Sequence, residues 1–395
     1  KWPVRDKKIY RIIQAMKWRV LESAWLIKEG FQMYKILVVN LGGTSTKVAL
    51  YNDETPVCEG SLRHTDEELS ACVDNTAQIE LRNKVIMEWV RENDVNLDEL
   101  DAIVFRMVTT GGLCKTGGTY RIEGALKDRL LQIYEKNFPK ATHPGIITYP
   151  LLLKILDGRD VPIYAIDPDD VDEFSDVARI SGHPDFPRTC GIHMINQKAI
   201  ARKASEDLGK KYQDTKLVVA HLGGGNSIAS HDHGRIVDST HAANGEGPFA
   251  TTRSGALPIL DVAKAICSGK LDLRGVMNIL MAQGGFIAHT GLSDMRLIEK
   301  KAEEGDANCE LVIQAFIYHV CRYIGAQFAA LGCEADAIVL TGGIAYSKRV
   351  VEAVTACVGK LAPVMVYPGE NEIEAMVVGT LRVLRGEEEI TPVKA

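Results

Sequence analysis

Apolar positions along this chain fall into two short patterns, and each occurs twice in the same order. In the first, a run of β-branched and aliphatic residues breaks into glycines and hydroxyls and then resumes as a second strand-like run. It spans Lys35–Asn52, KILVVNLGGTSTKVALYN, and returns at Lys216–Asp232, KLVVAHLGGGNSIASHD. The second pattern is a short buried-strand run after an aspartate: Asp101–Phe105, DAIVF, and Asp336–Leu340, DAIVL. Thr341-Gly342-Gly343 follows the second copy directly, and Thr110-Gly111-Gly112 follows the first after Arg106 and a few further residues. Uninterrupted apolar runs of this kind predict strands covered on both faces. Two strand-to-glycine units in matched order predict an internal duplication.

Further strands are predicted at 57–63, 162–166 and 235–238, and a tight polar turn at Asp232–Gly234. Helical spacing covers 77–93, 124–136, 147–156, 194–208, 259–268, 274–281, 294–304, 307–331 and 372–384. No Pro- or Ser-rich linker separates the two halves, so an α/β fold with two domains packed across a cleft is expected. We expect one domain over 33–180, with 373–395 packed back on it, and a second over 181–372. Residues 1–32 have a different character: Ile9, Ile12, Ile13, Met16, Val20 and Trp25 recur at helical spacing among many basic residues. Such a segment suits a membrane surface or a partner; the plainer expectation is an extension ahead of a natural start at Met33.

Composition narrows the classes. A length of 395 residues accommodates two full cores, and a net charge of −6 argues against a nucleic-acid partner. Nine scattered cysteines without a CxxC pair fit reduced thiols in the cytoplasm better than a disulfide or zinc framework. No apolar run approaches the ~20 residues that span a bilayer.

The candidate chemistry sits at the glycine loops. Glycines after a strand let the backbone approach a bound group closely, and amide hydrogens with Thr44, Ser45, Thr46, Asn226 and Ser227 suit a phosphate. Lys47 adds a point charge. A dinucleotide-binding unit needs its glycines to open a helix, whereas these open a strand. Arg106 and Arg253, each near a glycine loop, could clamp a transferring phosphoryl group or be surface ion-pair residues. Asp167, at a strand end before a proline, could orient an attacking group or cap a helix. His193 alone reads as structural. His221, His231, His233 and His241 raise a zinc site, but the turn between His231 and His233 leaves no clear fourth ligand.

From about Tyr34 to Arg385 the chain resembles the acetate and butyrate kinases, the butyrate kinase branch most closely. The resemblance is carried by NLGGTSTK at Asn40–Lys47, NQKA at Asn196–Ala199, AHLGGGNS at Ala220–Ser227, NGEGPF at Asn244–Phe249, TRSGALP at Thr252–Pro258, VLTGGIA at Val339–Ala345 and PGENEIEA at Pro368–Ala375. It implies the duplicated actin/Hsp70/sugar-kinase (ribonuclease H-like) fold around a nucleotide cleft, and reversible transfer of the γ-phosphoryl of ATP to a short-chain carboxylate. It implies Mg²⁺ beside Asn40 and a carboxylate, Glu372 in preference to Glu374, phosphate contacts from Ser45, Lys47, His221, Gly223, Gly224 and Gly225, and adenosine contacts from Asp294 and Arg296. Gly342 and Gly343 would cradle the α-phosphate side. Arg106, Arg253, His193 and Asp167 would carry the catalysis, in a homodimer or higher homo-oligomer. Gly43 stands where the family places a serine, FRMVTTGGLC is longer than the family's segment after the arginine, and 140–145 departs from HASNLG by losing its histidine and asparagine. These departures leave open a nucleotide-binding relative without turnover; a kinase for another small acceptor such as a sugar shares the fold.

Overall fold

The computed structural model describes residues 32–141 and 143–393. The expectation for the basic N-terminal segment falls on 1–31, outside the described residues. Among the described residues, eleven strands form two sheets. The first contains β1 (Lys35–Leu41), β2 (Ser45–Asn52), β3 (Thr55–Arg63), β4 (Ala102–Phe105), β5 (Thr119–Arg121) and β6 (Ile163–Ile166), in the order β3-β2-β1-β4-β6-β5. The second contains β7 (Lys216–His221), β8 (Ser227–Asp232), β9 (Arg235–Ser239), β10 (Ala337–Gly342) and β11 (Val364–Pro368), in the order β11-β10-β7-β8-β9. Apart from the short edge strand β5, the orders correspond. β1 pairs antiparallel with β2 and parallel with β4, as β7 pairs with β8 and β10. The duplication legible in the sequence is therefore present in the connectivity.

The strand pleat explains why β1 and β7 are apolar throughout, since successive side chains point to opposite faces and both faces are covered. Leu37, Val39 and Leu41 enter one core; Ile36 and Val38 enter another, shared with Met376, Val377 and Leu381 of the helix Glu372–Leu384. In the second half, Val218 and Ala220 pack towards the long helix Ala307–Ala330, through Val312, Ile313 and Phe316. Leu217 and Val219 meet Ile200, Ala201 and Ala204 of the helix Met194–Asp207. Each fully buried Val, Leu, Ile, Phe or Met among them contributes about 1.5–3 kcal/mol. The helices Met194–Asp207 and Glu372–Leu384 also touch one another, so they form the seam between the halves.

The second matched element holds in its strand but not in its glycines. Thr341 and Gly342 belong to β10 itself, whereas Gly111 and Gly112 lie beyond β4 at φ 61° and 79°. Asp170 holds that loop, accepting from the Thr110 amide at 2.6 Å and the Thr109 hydroxyl at 3.0 Å. The residue that follows β4, beside Asn40 at the end of β1, is Arg106.

Candidate active site

A cleft of about 430 Å³ opens at the carboxyl ends of the central strands, between the two halves. Open α/β sheets bind ligands at this place because the strand ends leave a crevice there. The first half supplies Asn40, Ser45, Lys47, Arg106 and Glu372; the second supplies His193, Gly224, Gly225, Thr252 and Arg253. A neighbouring cavity of about 690 Å³, sharing Gly224 and Glu370 with the first, is lined by Gly223, Asp294, Arg296, Gly343 and Tyr346.

On the first side, Asn40 and Lys47 face one another across the β1–β2 ladder. The Asn40 amide donates to Glu372 Oε2 at 3.2 Å, and Arg106 Nη1 lies 3.7 Å from the same oxygen. Arg106 Nε donates to Asp169 Oδ2 at 3.0 Å. Burial works against the Arg106 charge, but Asp169 and Glu372 outweigh it and hold the guanidinium above its ordinary value. Burial pushes the Asp169 carboxyl up to about 6, with Arg106 opposing the shift.

On the second side, β7 leads into a loop whose geometry is pinned by Asn226. Its carbonyl accepts from the Gly223 amide at 3.0 Å and its amide donates to Phe249 O at 2.7 Å. A side chain at Gly225 would meet Arg253 Nη1 at 2.4 Å, so glycine is what lets the guanidinium lie over the loop. Among the described residues Arg253 has no carboxylate partner; burial and then the charge of Arg106 hold it below its ordinary value. The His193 ring stacks on His221 at 3.9 Å, and its Nδ1 lies 3.0 Å from Ser227 Oγ. Burial, then His221 and the two arginines, keep His193 well below its ordinary value, so it is neutral at pH 7. His221 is buried beneath it, with Nδ1 2.7 Å from Asn196 Oδ1 and Nε2 3.1 Å from Glu370 Oε1.

Asp167 stands elsewhere. It is buried outside the cleft, where it accepts from the Gly118 amide at 2.7 Å and Arg202 Nη1 at 3.0 Å. Its φ of 41° turns the chain so that Asp169, two residues on, reaches Arg106. Gly342 likewise lines neither cavity; a side chain there would meet the Leu222 carbonyl at 2.3 Å. Asp294 and Arg296 do reach the second cavity, paired with each other at 2.6 Å. The segment expected to lack a histidine carries His143 near the cleft, lowered by partial burial and by the charges of Arg106 and Arg82. No metal cluster of His, Cys, Asp and Glu occurs among the described residues, and His231 is bonded to Tyr212 and Gln197 instead. Sequence reasoning missed Glu370, which lines both cavities, and Asp169. The only signal was adjacency: each lies two residues from a position that was singled out.

The profile of the acetokinase family matches residues 186–374. A probable butyrate kinase of Clostridium botulinum is 39% identical over 357 residues, covering 90% of this chain and 98% of the relative. The chain belongs to the acetokinase family. Butyrate kinase 1 of Clostridium acetobutylicum, another such relative, is 38% identical over 358 residues, again 90% of this chain and 98% of the relative. The fold of this family member superimposes on that of Porphyromonas gingivalis acetate kinase with a TM-score of 0.72, at 20% identity over 89% of this chain and 100% of that one. The architecture is thus the duplicated actin-like fold.

Proposed function

We propose that this protein transfers the γ-phosphoryl group of ATP to a short-chain carboxylate, butyrate or a branched relative, giving an acyl phosphate and ADP reversibly. The observation that carries the reading is the convergence of two arginines from opposite halves in one cleft, one of them without a carboxylate partner among the described residues. An aliphatic acid is already an anion at neutral pH, so no general base is needed. What must be overcome is repulsion between an anionic nucleophile and an anionic phosphoryl group.

A carboxylate oxygen attacks the γ-phosphorus, the bond to the β–γ bridging oxygen breaks, and ADP leaves with that electron pair. In this reading Arg106, steadied by Asp169, orients the acid, and Arg253 meets the oxygens of the transferring phosphoryl group. Neutral His193 contributes a ring nitrogen over the same space. Ser45 and Lys47 contact the phosphates from the first half, and the Gly223–Gly225 loop contacts them from the second. The nucleotide's adenosine end extends into the larger cavity beside Asp294 and Arg296. Oxygen ligands suit Mg²⁺, and the Glu372 carboxylate with the Asn40 amide, together with phosphate oxygens, fit that preference. Bound there, Mg²⁺ supplies neutralisation of phosphate charge. Asp167 takes a supporting place in this scheme rather than a reacting one.

Hydroxamate trapping of acyl phosphate from a panel of C2–C6 acids with ATP tests the reading. Product with butyrate-sized acids is the expected result, and folded protein giving none from any acid would overturn it. No feature of the site favours a relative that binds nucleotide without turnover. A reducing compartment, the cytoplasm, suits nine cysteines that are all free. No helix among the described residues is long and apolar enough to cross a membrane. A homodimer is also proposed, supported by the apolar helices Ile259–Cys267 and Leu273–Met281, which bury none of their residues in the chain.

A further inference from the structure

Arg82 is the largest fully buried side chain among the described residues, and it lies behind the first glycine loop. It projects from the helix Asn75–Glu92, on which a guanidinium would ordinarily face water or a carboxylate. Here it has neither. Nη2 donates to the Gly42 carbonyl at 3.0 Å and the Gly43 carbonyl at 3.2 Å. Nη1 donates to the Thr46 hydroxyl at 2.8 Å and the Ser45 carbonyl at 3.3 Å. Nε has no partner, and among the described residues no carboxylate pairs with the group.

The remaining loop carbonyl, Thr44 O, is taken from the same side by the His64 amide at 2.9 Å. Every carbonyl from Gly42 to Ser45 is therefore drawn inward. Among the described residues no protein acceptor bonds to the amides of Gly43 and Thr44, which lie on the exposed side of the loop beside Ser45 and Lys47 of the cleft. A peptide whose carbonyl is turned inward presents the neighbouring N–H outward, which is how backbone forms an anion-binding concavity. An unpaired buried cation is costly, and the cost falls when an anion arrives nearby.

We infer that Arg82 is a positioning residue for nucleotide phosphate: it turns the loop's amides towards the cleft, and the polyphosphate is the counter-charge it lacks. Burial lowers Arg82 to about 10, which leaves it a cation at neutral pH. The inference deepens the kinase reading and rests on it.

Calorimetric titration of ATP and of AMP into the full chain, as wild type, Arg82→Met and Arg82→Lys, tests it. Methionine keeps an unbranched apolar stem and removes the charge and the fork; lysine keeps the charge and loses the fork. In Arg82→Met, ATP affinity should fall roughly ten-fold or more and kcat by roughly 10²-fold, the scale of losing one oriented donor set. Affinity for AMP and KM for the acid should stay within about two-fold. Equal losses for ATP and AMP, or no loss for either, would overturn the inference while leaving the kinase reading standing. Wild-type protein with no preference for ATP over AMP would overturn both. Should Arg82→Met fail to fold, the same ratio is read in Arg82→Lys: a lowered ATP-to-AMP preference supports the inference and an unchanged one overturns it.

Discussion

Arg106 and Arg253 carry the same guanidinium in opposite electrical settings. Asp169 and Glu372 hold the first in its charged form, while the second is weakened by burial and by the first. This asymmetry gives Asp169 a measurable signature. Its carboxyl sits near 6 in the folded protein against an ordinary 3.8, so between those values the folded chain keeps a proton that the unfolded chain has lost. Its contribution to stability therefore shrinks as pH rises towards about 6. Activity moves the other way, because protonation removes the charge that steadies Arg106. We expect kcat/KM to fall below pH about 6, and Asp169→Asn to remove that limb and lower kcat/KM about ten-fold, the scale of a charged hydrogen bond. A pH–rate profile of the two proteins checks this. The sequence pointed to Asp167 because it ends a strand before a proline. That position is a hinge in the chain, and the side chain that reaches the arginine follows it. Direction of approach is set by one left-handed residue, which no residue pattern reports.

Among the elements, the glycines that follow β7 and β10 separate a need for close contact from its absence. A methyl group at Gly225 meets the end of the Arg253 side chain, whereas one at Gly343 has nothing within 4 Å. Gly225→Ala should therefore lower kcat by roughly 10²-fold, comparable to misplacing one donor, with the melting temperature little changed. Gly343→Ala should leave both near wild type. Steady-state kinetics beside thermal melts would tell the two apart. The strands that form the loops were legible because an apolar run covered on both faces leaves few alternatives. The helix Lys348–Val358 went unrecognised although Val350, Val354 and Val358 recur at helical spacing behind the cap Ser347. β5 has only the residues Thr119–Arg121, and β11 ends in a proline; neither gives the alternation by which an edge strand is recognised. Arg82 was invisible for another reason: on a helix with many charges, nothing local marks the one that turns inward.

At the scale of the whole molecule, a buried carboxylate helps tie the halves together. Glu173 accepts from the Gly117 amide at 2.7 Å in the first half and from the Ile236 amide at 2.7 Å in the second, and its Oε2 binds Lys198 at 2.6 Å. Both charged side chains are 2% exposed. Removing one partner of such a pair leaves the other charge stranded, so Glu173→Gln should cost about 3–5 kcal/mol, read from the urea midpoint. The uncovered helices give the other large-scale prediction. Ile259, Leu260, Ile266, Leu273 and Met277 form an exposed apolar face, and light scattering should return twice the chain mass. Aspartate at Leu260 and Leu273 should shift that value to the single chain. Two domains across a cleft could be anticipated from the repeated patterns, because duplication leaves its trace in residue order. The tie through Glu173 could not, since its partners are backbone amides far apart in the chain.

The reacting groups are shared out across the seam: Arg106, Asn40 and Glu372 come from the first half, Arg253 and His193 from the second. A small shear along that fault line would scatter them while leaving both hydrophobic cores whole. The enzyme can thus lose its chemistry without melting. Partial denaturation should silence turnover well before the helix signal in circular dichroism begins to decline.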